Sequence, residues 1–240
     1  MDLAIIFTAK AFWYRIIAES KLMKILIFSD VHLTNKADPK KMAFLKKIIA
    51  GADQVIIGGD FWDGMFISFD QFLSSPWQEL FPLLKKRRTI YLYGNHDKKE
   101  RCDKRVNLFS DYQAKKYLLP LADKTLLILH GDRLSLSFAE AVKLLKIFRP
   151  LLKLQCRLDY FLSKALGRKY LFWSRRKYNQ EIEAEARKIL EEDQLLVCGH
   201  THLAQKDSRR GFINLGCLNF GLGQYLIVED NQLRFYDVNY

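Results

Sequence analysis

Short apolar segments that each end in a cluster of polar residues recur along this chain and most constrain its fold. They are KILIF (24–28), QVIIG (54–58), TIYLY (89–93), TLLIL (125–129) and QLLVC (194–198). Their length and their Ile, Leu, Val and Tyr content are typical of buried β-strands. Helical patterns, such as MAFLKKIIA (42–50) and residues 77–84, lie between the first three segments. Alternation of strands and helices predicts a layered α/β fold.

A helical and strongly basic segment interrupts this alternation. The first of its three helical patterns contains Phe138, Val142, Leu145 and Phe148 and ends at Pro150, the second ends near Gly167, and the third covers residues 179–192. Residues 133–180 contain twelve basic and two acidic side chains, a net +10, and the whole chain carries +12. The sequence therefore predicts a core of residues 23–132 and 193–240, capped by a basic helical insert, residues 133–192.

The two ends of the chain have their own patterns. Residues 1–22 are apolar and aromatic, but Lys10, Arg15 and Glu19 interrupt them, so they resemble neither a signal peptide nor a membrane span. We interpret Met23 as the natural start and residues 1–22 as a doubtful N-terminal extension; a short amphipathic surface helix is the alternative. At the other end, two strand patterns flank Asp230-Asn231 and predict a closing hairpin.

The cysteines indicate the cellular environment. The chain has four of them, without any CxxC pair or framework spacing. Neither a disulfide scaffold nor a thiolate zinc site is favoured, and a reducing cytoplasm suits them.

All five histidines of the chain lie in the polar clusters that follow the apolar segments. The clusters are Ser29-Asp30-Val31-His32, Gly59-Asp60-Phe61-Trp62-Asp63, Gly94-Asn95-His96-Asp97, His130-Gly131-Asp132 and Gly199-His200-Thr201-His202. In open α/β sheets, ligands bind beyond the carboxyl ends of the strands. Divalent ions accept His, Asp and Asn donors. Seven of the donors in these clusters, named below, are candidate ligands, and seven are too many for one catalytic ion with open positions. The clusters therefore predict two ions, which about 3.5–4 Å apart can hold a hydroxide and align a phosphoryl group for in-line attack.

The motif series DVH, GDFWD, GNHD, HGD and GHTH resembles that of the calcineurin-like metallophosphoesterase superfamily over residues 23–240, apart from the insert. This resemblance implies a four-layer α/β/β/α sandwich with a dinuclear metal site and hydrolysis of phosphoric esters or anhydrides. Mn²⁺ is our preferred metal, and the donors also accept Fe²⁺, Co²⁺, Zn²⁺ or Mg²⁺.

The same resemblance assigns roles to the motif residues. One ion is held by Asp30, His32, Asp60 and His202, and the other by Asp60, Asn95, His130 and His200, with Asp60 as the bridge. His96 corresponds to the catalytic histidine that faces the phosphate or the leaving oxygen, and Asp63 to the carboxylate that orients it. A carboxylate behind a histidine raises its basicity and fixes its tautomer. We interpret Asp97 as structural, because Asp is common in turns.

The insert indicates a narrower resemblance. Its position between HGD and GHTH, its SRRKYNQ segment (174–180) and the later FINLG (212–216) are similar to the UDP-2,3-diacylglucosamine pyrophosphatases of lipid A synthesis. That similarity implies cleavage of a nucleotide-linked lipid to UMP and a lipid phosphate. Many members of that subfamily carry Arg where this chain has His96, which leaves a general phosphoesterase activity open.

The basic charge of the insert has two interpretations. Arg175, Arg176 and Lys177 are candidates for binding substrate phosphate. Basic residues interleaved with the aromatic segment 171–173 suit a lipid-phosphate pocket or a peripheral contact with the anionic inner face of a membrane. A solvated basic face is the alternative.

Two other functions stay open at this point. A phosphodiesterase or phosphatase acting on nucleotides or nucleic acid is favoured by the charge of +12. Nucleic acid is the weaker partner, because the charge lies in a leucine-rich and aromatic insert. A non-catalytic binding module ranks last, because no ligand of the motif series is missing. The sequence implies no protein partner.

Overall fold

The computed structural model describes residues 23–135 and 149–240, so the N-terminal extension and the first helical pattern of the insert lie outside the described residues. The described chain forms two β-sheets with helices, which confirms the predicted α/β class. The first sheet contains β1 (Ile25–Phe28), β2 (Gln54–Ile57), β3 (Ile90–Leu92), β4 (Tyr112–Ala114), β10 (Leu222–Glu229) and β11 (Gln232–Asn239), in the order β11-β10-β1-β2-β3-β4. The second contains β5 (Lys116–Pro120), β6 (Thr125–Leu129), β7 (Gln194–Cys198), β8 (Gln205–Asp207) and β9 (Phe212–Asn214), in the order β5-β6-β7-β9-β8.

The helices follow from local sequence signals. They are α1 (Pro39–Ala50), α2 (Phe69–Leu73), α3 (Phe81–Lys86) and α4 (Arg149–Ile189), with short 3₁₀ turns at Pro76–Leu80, Lys99–Arg101, Lys104–Leu108 and Ser208–Arg210. The Asp38 side chain accepts a hydrogen bond from the Lys41 backbone N–H at the start of α1, Pro39 occupies the first turn, and Gly51 follows the last residue. These are favourable residues for the beginning and the end of a helix.

Alternating side chains of the central strands face two different cores. Ile25 and Ile27 of β1 pack with Ile128 of β6 and Val197 of β7, so this core lies between the two sheets. Leu26, like Phe28, faces the opposite side and packs with α1, α2 and α3. The period of two residues explains why β1 is apolar on both faces.

The fourth layer lies on the other face of the second sheet. Ile182 and Ala186 of α4 pack there against Leu196 and Phe212. Helices, sheet, sheet and helix follow one another, which is the predicted four-layer sandwich. The division into core and insert stays a prediction, although the end of α4 contributes to the core packing.

The closing hairpin forms as the sequence predicts. β10 and β11 pair antiparallel down to Glu229 opposite Gln232. The two residues of the turn have positive φ angles, 53° for Asp230 and 59° for Asn231. This is the conformation of the tight turns that match the twist of a β-hairpin, and Asp and Asn tolerate it.

Helix α4 differs from the sequence prediction. The helix is interrupted at Gly167 (φ 55°, ψ −136°), as expected, but the predicted new start at residue 179 is wrong, because α4 continues from the interruption to Ile189. Arg175, beyond Gly167, forms an ion pair of 2.5 Å with Asp159 before it, and the Tyr170 hydroxyl donates to Asp159 at 2.9 Å. The two parts of α4 therefore lie against each other. Among the described residues, no helix is long and apolar enough to cross a membrane.

Candidate metal centre

The seven predicted ligands lie in loops that follow strands of both sheets. β1, β2 and β3 are parallel neighbours in the first sheet, and β6 and β7 are parallel neighbours in the second. The loops after them carry Asp30 and His32, Asp60, Asn95, His130, and His200 and His202. The structure brings all seven together: a side-chain atom of each lies 2.8–3.8 Å from a side-chain atom of another. The loops therefore form one centre that joins the two sheets.

Five of these residues have an unusual backbone conformation. Their φ angles are positive: 55° at Asp30, 49° at His32, 51° at Asp60, 74° at His200 and 63° at His202. For residues with a Cβ this conformation costs about 1–3 kcal/mol each, and residues that adopt it cluster at functional sites. The Asp30 N–H donates to the Gly59 carbonyl (3.1 Å) and the His32 N–H to the Asp60 carbonyl (3.0 Å), so the loops after β1 and β2 hold each other.

Asp97 holds the loops after β2 and β3. Its buried carboxylate accepts hydrogen bonds from the backbone N–H groups of Asp60 (3.0 Å), Phe61 (2.6 Å) and Gly94 (2.7 Å). Burial and the nearby Asp60 charge raise the pKa of Asp97 to about 6. A Cβ on Gly94 would collide with the Asp60 side chain, so glycine allows the close approach of these two loops. These contacts fit the structural role expected for Asp97.

Asp30, His32 and His202 form the first group. The Nε2 atoms of His32 and His202 face each other at 2.9 Å, and Asp30 Oδ1 lies 3.4 Å from His202 Nε2 and 3.8 Å from His32 Nε2. Asp30 Oδ1 is buried and has no hydrogen-bond partner among the described residues. Two facing ring nitrogens beside an unpartnered carboxylate oxygen fit a shared cation better than a protein core.

Asn95, His130 and His200 form the second group. Asn95 Oδ1 lies 3.0 Å from His130 Nε2 and 2.8 Å from His200 Nδ1. His130 Nδ1 donates to the Gly58 carbonyl at 3.0 Å, which directs Nε2 into the centre. Asp60 Oδ2 lies 3.2 Å from His130 Nε2 and 3.8 Å from His32 Nε2 of the first group. Asp60 therefore stands between the groups, where the family resemblance places the bridge.

The electrostatics of the centre favour cations. Burial would lower the pKa of His32, but neighbouring carboxylates, Asp30 first, raise it to about 10. Burial likewise opposes protonation of His130, whose pKa the Asp60 charge raises well above the usual value. In turn, nearby histidines hold the pKa of Asp30 and of Asp60 below the usual range against the effect of burial. Burial lowers the pKa of His200 to about 3. The carboxylates that keep His32 and His130 charged also attract divalent ions.

His96 and Asp63 form a pair at the rim of the centre. His96 Nδ1 donates to Asp63 Oδ1 at 2.8 Å, and Asp63 Oδ1 also accepts from the Met65 N–H at 3.1 Å. The opposite nitrogen, His96 Nε2, lies 3.9 Å from Asp60 Oδ2. The His96 side chain is 17% exposed, so it can reach a substrate as well as the centre. Burial would raise the pKa of Asp63, but His32 and His96 hold it below the usual range.

The predicted phosphate-binding residues lie in a different place, on α4. Arg175, Arg176 and Lys177 line a cavity of about 650 Å³ between the two parts of that helix. The other lining residues are Gln155, Leu158, Asp159, Leu162, Tyr170, Trp173, Ser174 and Tyr178. Burial is the main cause that lowers the pKa of His202, and the positive charge of Arg175 contributes least.

Phe220 connects the first part of α4 to the centre. Its ring lies 5.3 Å from the Tyr160 ring of α4 and 6.0 Å from the His202 ring, measured between centroids. The first part of α4 therefore packs through one aromatic side chain onto a predicted ligand.

Two sets of polar residues have a role near the centre that the sequence does not predict. Lys41 of α1 is buried and donates to the carbonyl of Val31, which lies between two predicted ligands. Asn179, Thr201 and Asn214 are buried together beneath the loop that carries His200 and His202. Asn179 and Asn214 lie in the SRRKYNQ and FINLG segments, but no local pattern indicates that they contact each other or this loop.

A family model described as calcineurin-like phosphoesterase matches residues 23–204 of the chain. That range contains the seven predicted ligands, His96 and Asp63, and the match confirms the resemblance inferred from the motif series. No curated protein sequence matches the chain.

Solved structures of similar proteins are distant. Yfce, a phosphoesterase from E. coli, is 15% identical with a TM-score of 0.47, and the alignment covers 90% of this chain and 99% of that one. An archaeal phosphodiesterase is 16% identical with a TM-score of 0.45, covering 90% and 100%. Vps29 from Entamoeba histolytica, complexed with Zn²⁺, is 13% identical with a TM-score of 0.45, covering 90% and 99%. Likenesses this distant carry no argument about substrate, metal or partner.

Proposed function

The chain belongs to the calcineurin-like phosphoesterase family and is thus a metal-dependent phosphoester hydrolase, and from this premise we propose its substrate class. We propose that it cleaves the pyrophosphate of UDP-2,3-diacylglucosamine, or of a similar nucleotide-linked lipid, to UMP and a lipid phosphate. The observation that carries the proposal is the cavity in α4, which has an aromatic, leucine and basic lining and lies on the helix whose first part packs through Phe220 onto His202. Such a lining suits a substrate that has both a phosphate and an apolar part.

The seven predicted ligands would hold two divalent ions, with Mn²⁺ as the first choice. The unpartnered Asp30 Oδ1 and the facing nitrogens of His32 and His202 support this fit. Asp30, Asp60 and His130 also have side-chain donors close enough together to hold one ion. Because Asp30 belongs to the first group and His130 to the second, Asp60 can serve both ions. Bound ions would neutralise phosphoryl oxygens and lower the pKa of a water molecule.

His96 is the proposed proton donor to the leaving oxygen. Its Nδ1–H is held by Asp63, and Nε2 lies on the side of the centre, 3.9 Å from Asp60 Oδ2, where a bound phosphoryl group would be within its reach. With one N–H held by Asp63, Nε2 can donate a proton only from the imidazolium form, in which both ring nitrogens are protonated. Asp63 is thus proposed as the group that orients His96.

The helical insert, residues 133–192, is the proposed cap over the core. Arg176 and Lys177 are the stronger candidates for binding a substrate phosphate, because the ion pair with Asp159 already engages Arg175. Arg175 then supports the cavity by joining its two walls.

The cap also supports a peripheral contact with an anionic membrane surface on the cytoplasmic side. Large apolar side chains of α4 are exposed, among them Trp173 (78%), Phe161 (66%) and Phe172 (58%). Lys164, Lys169 and other basic residues accompany them along the helix. Aromatic residues next to basic ones bind the interface of anionic bilayers.

The test is phosphorus NMR of the products formed from UDP-2,3-diacylglucosamine by the full chain with Mn²⁺, with EDTA as a control. We expect metal-dependent release of UMP. Asp60→Asn should abolish it, whereas Asp70→Asn on α2, the same chemical change outside the centre, should preserve it. If neither the wild type nor Asp70→Asn releases UMP, the proposal of a lipid substrate is refuted.

A general phosphodiesterase acting on nucleotides is the second candidate, favoured by the net charge of +12. The same assay distinguishes it through bis(p-nitrophenyl) phosphate, a generic diester. Hydrolysis of that diester alone would keep the metal centre and assign the enzyme to nucleotide or nucleic-acid substrates. Arg176→Ala should raise KM for the lipid substrate and leave the generic diester unaffected if the cap binds the lipid.

A further inference from the structure

Asn179 lies inside α4, yet its side chain is bound to the loop that carries two predicted ligands. The residue is fully buried, as is Asn214 of β9, and Thr201 between His200 and His202 is nearly so. A polar side chain within a helix usually faces solvent or starts the helix. Here it contacts another part of the chain.

The amide of Asn179 uses all of its hydrogen-bonding capacity. Its Oδ1 accepts from the Thr201 hydroxyl (2.6 Å) and from Asn214 Nδ2 (3.0 Å). Its Nδ2 donates to the Leu203 carbonyl (3.0 Å) and to Gln205 Oε1 (3.0 Å). A fully satisfied buried network of this kind is rigid, and removing one member leaves several groups without partners.

Asn214 extends the network under the same loop. Its Nδ2 also donates to the Gly199 carbonyl at 2.9 Å, and its Oδ1 accepts from the Gly216 N–H at 2.9 Å. The bonds of Asn179 and Asn214 thus reach Gly199, Thr201 and Leu203, the alternate residues of the loop.

The two residues that the network does not bond are the predicted ligands His200 and His202, both in the strained conformation with positive φ. His200 lies in the second group of the centre and His202 in the first. A loop held on each side of both histidines fixes the two groups relative to each other.

We propose that Asn179 is a positioning residue of the metal centre: it fastens His200 and His202 to α4 and so sets the affinity for both ions. The proposal rests on the metal-binding part of the proposed function. It makes α4 part of the scaffold of the centre as well as the wall of the cavity. Tyr178, the residue before Asn179, already lines that cavity.

The test is titration of the metal-free full chain with Mn²⁺ by calorimetry, with the bound metal counted by elemental analysis. Asn179→Leu should weaken Mn²⁺ binding about 10- to 100-fold, the usual cost of losing a partner that orients ligands. Thr201→Val, which is nearly isosteric, should also weaken Mn²⁺ binding. It tests the same network if Asn179→Leu does not fold.

Ile182→Ala is the matched control for a merely structural role. Ile182 is fully buried on the same helix, three residues further on, and packs on the second sheet. Both variants should lower the melting temperature, but only the Asn179 and Thr201 variants should change the dissociation constant for Mn²⁺ at a temperature where all are folded.

The outcomes separate this proposal from the one on which it rests. A wild type that binds no Mn²⁺ would overturn both. A wild type that binds two ions, with Asn179→Leu and Thr201→Val binding them equally tightly, would overturn the role of Asn179 and leave the metal centre intact. Equal weakening by Ile182→Ala would also overturn it, because the effect would then follow from stability alone.

Discussion

Replacement of Lys41 by Met should change the stability of this protein in a way that depends on pH. Lys41 is 5% exposed, and its Nζ donates to the Val31 carbonyl and to Asn219 Oδ1, each at 2.9 Å. Burial lowers its pKa from the usual 10.5 to about 8. The chain therefore folds with a charged amine in a place that disfavours charge.

The magnitude follows from that shift. One pKa unit corresponds to about 1.4 kcal/mol, so the shift of Lys41 lowers the free energy of unfolding by about 3 kcal/mol below pH 8. As the pH rises from 8 to 10.5, the folded chain loses this proton while the unfolded chain keeps it, and the wild type regains that stability. Lys41→Met has no such proton, and the hydrogen bonds it loses cost about 1–3 kcal/mol for each acceptor left unpaired, independently of pH.

The assay is urea unfolding of both proteins at pH 7 and pH 10. The wild type should gain about 2–3 kcal/mol relative to Lys41→Met between the two pH values. Lys40→Met, an exposed neighbour on α1, removes the same charge and controls for the net charge of the chain. A difference between wild type and Lys41→Met that stays constant with pH, or that Lys40→Met reproduces, would refute the reasoning.

Three further predictions concern the candidate site. Asp60→Ala should abolish activity and reduce the bound metal seen by elemental analysis; full metal content would contradict the bridging position. His96→Ala should retain its metal and turn over about 10² to 10⁴ times more slowly in a steady-state assay, the usual contribution of a positioned proton donor, and unchanged turnover would remove it from the mechanism. Asp63→Asn should also retain metal and lose about 10- to 100-fold in kcat, with an altered pH profile; an effect on KM alone would argue against an orienting role.

The centre of the fold could be predicted because its strands are apolar on both faces. β1, β2, β3, β6 and β7 pack on each side, so their sequences are short apolar runs, and the polar residues that end them are the predicted ligands. The hairpin at Asp230 was equally visible, because Asp and Asn tolerate the positive φ angles of its turn. Where one residue type is required by local geometry, the sequence carries the information.

Three of the four edge strands could not be predicted in this way. β4 and β5 are short edge strands with exposed side chains, and β5 ends in Pro120, a residue that argues against a central strand. β8, a three-residue edge strand, has no buried residue. Such strands form because a neighbouring strand offers free hydrogen-bonding groups, which leaves no pattern in their own sequence.

Asn179 shows a second limit. Its residue type suggests the start of a helix, where an Asn side chain satisfies free N–H groups, and the sequence was interpreted in that way. In the folded chain its partners are Thr201, Leu203, Gln205 and Asn214, at least 22 residues away. Lys41 likewise reads as one of several lysines on a surface helix. Hydrogen-bond partners this distant in sequence come together only in the folded chain, so no local sequence pattern predicts them.

The centre draws its residues from both sheets, and this makes metal binding a measure of assembly. Asp30, Asp60 and Asn95 follow strands of the first sheet, whereas His130, His200 and His202 follow strands of the second. An ion shared by His32 and His202 would close a loop of 170 residues, much as a long-range disulfide does. A chain divided between β4 and β5 would leave neither fragment with a complete set of donors. Recovery of tight Mn²⁺ binding on mixing the two fragments would therefore show that the two fragments had associated into the native fold.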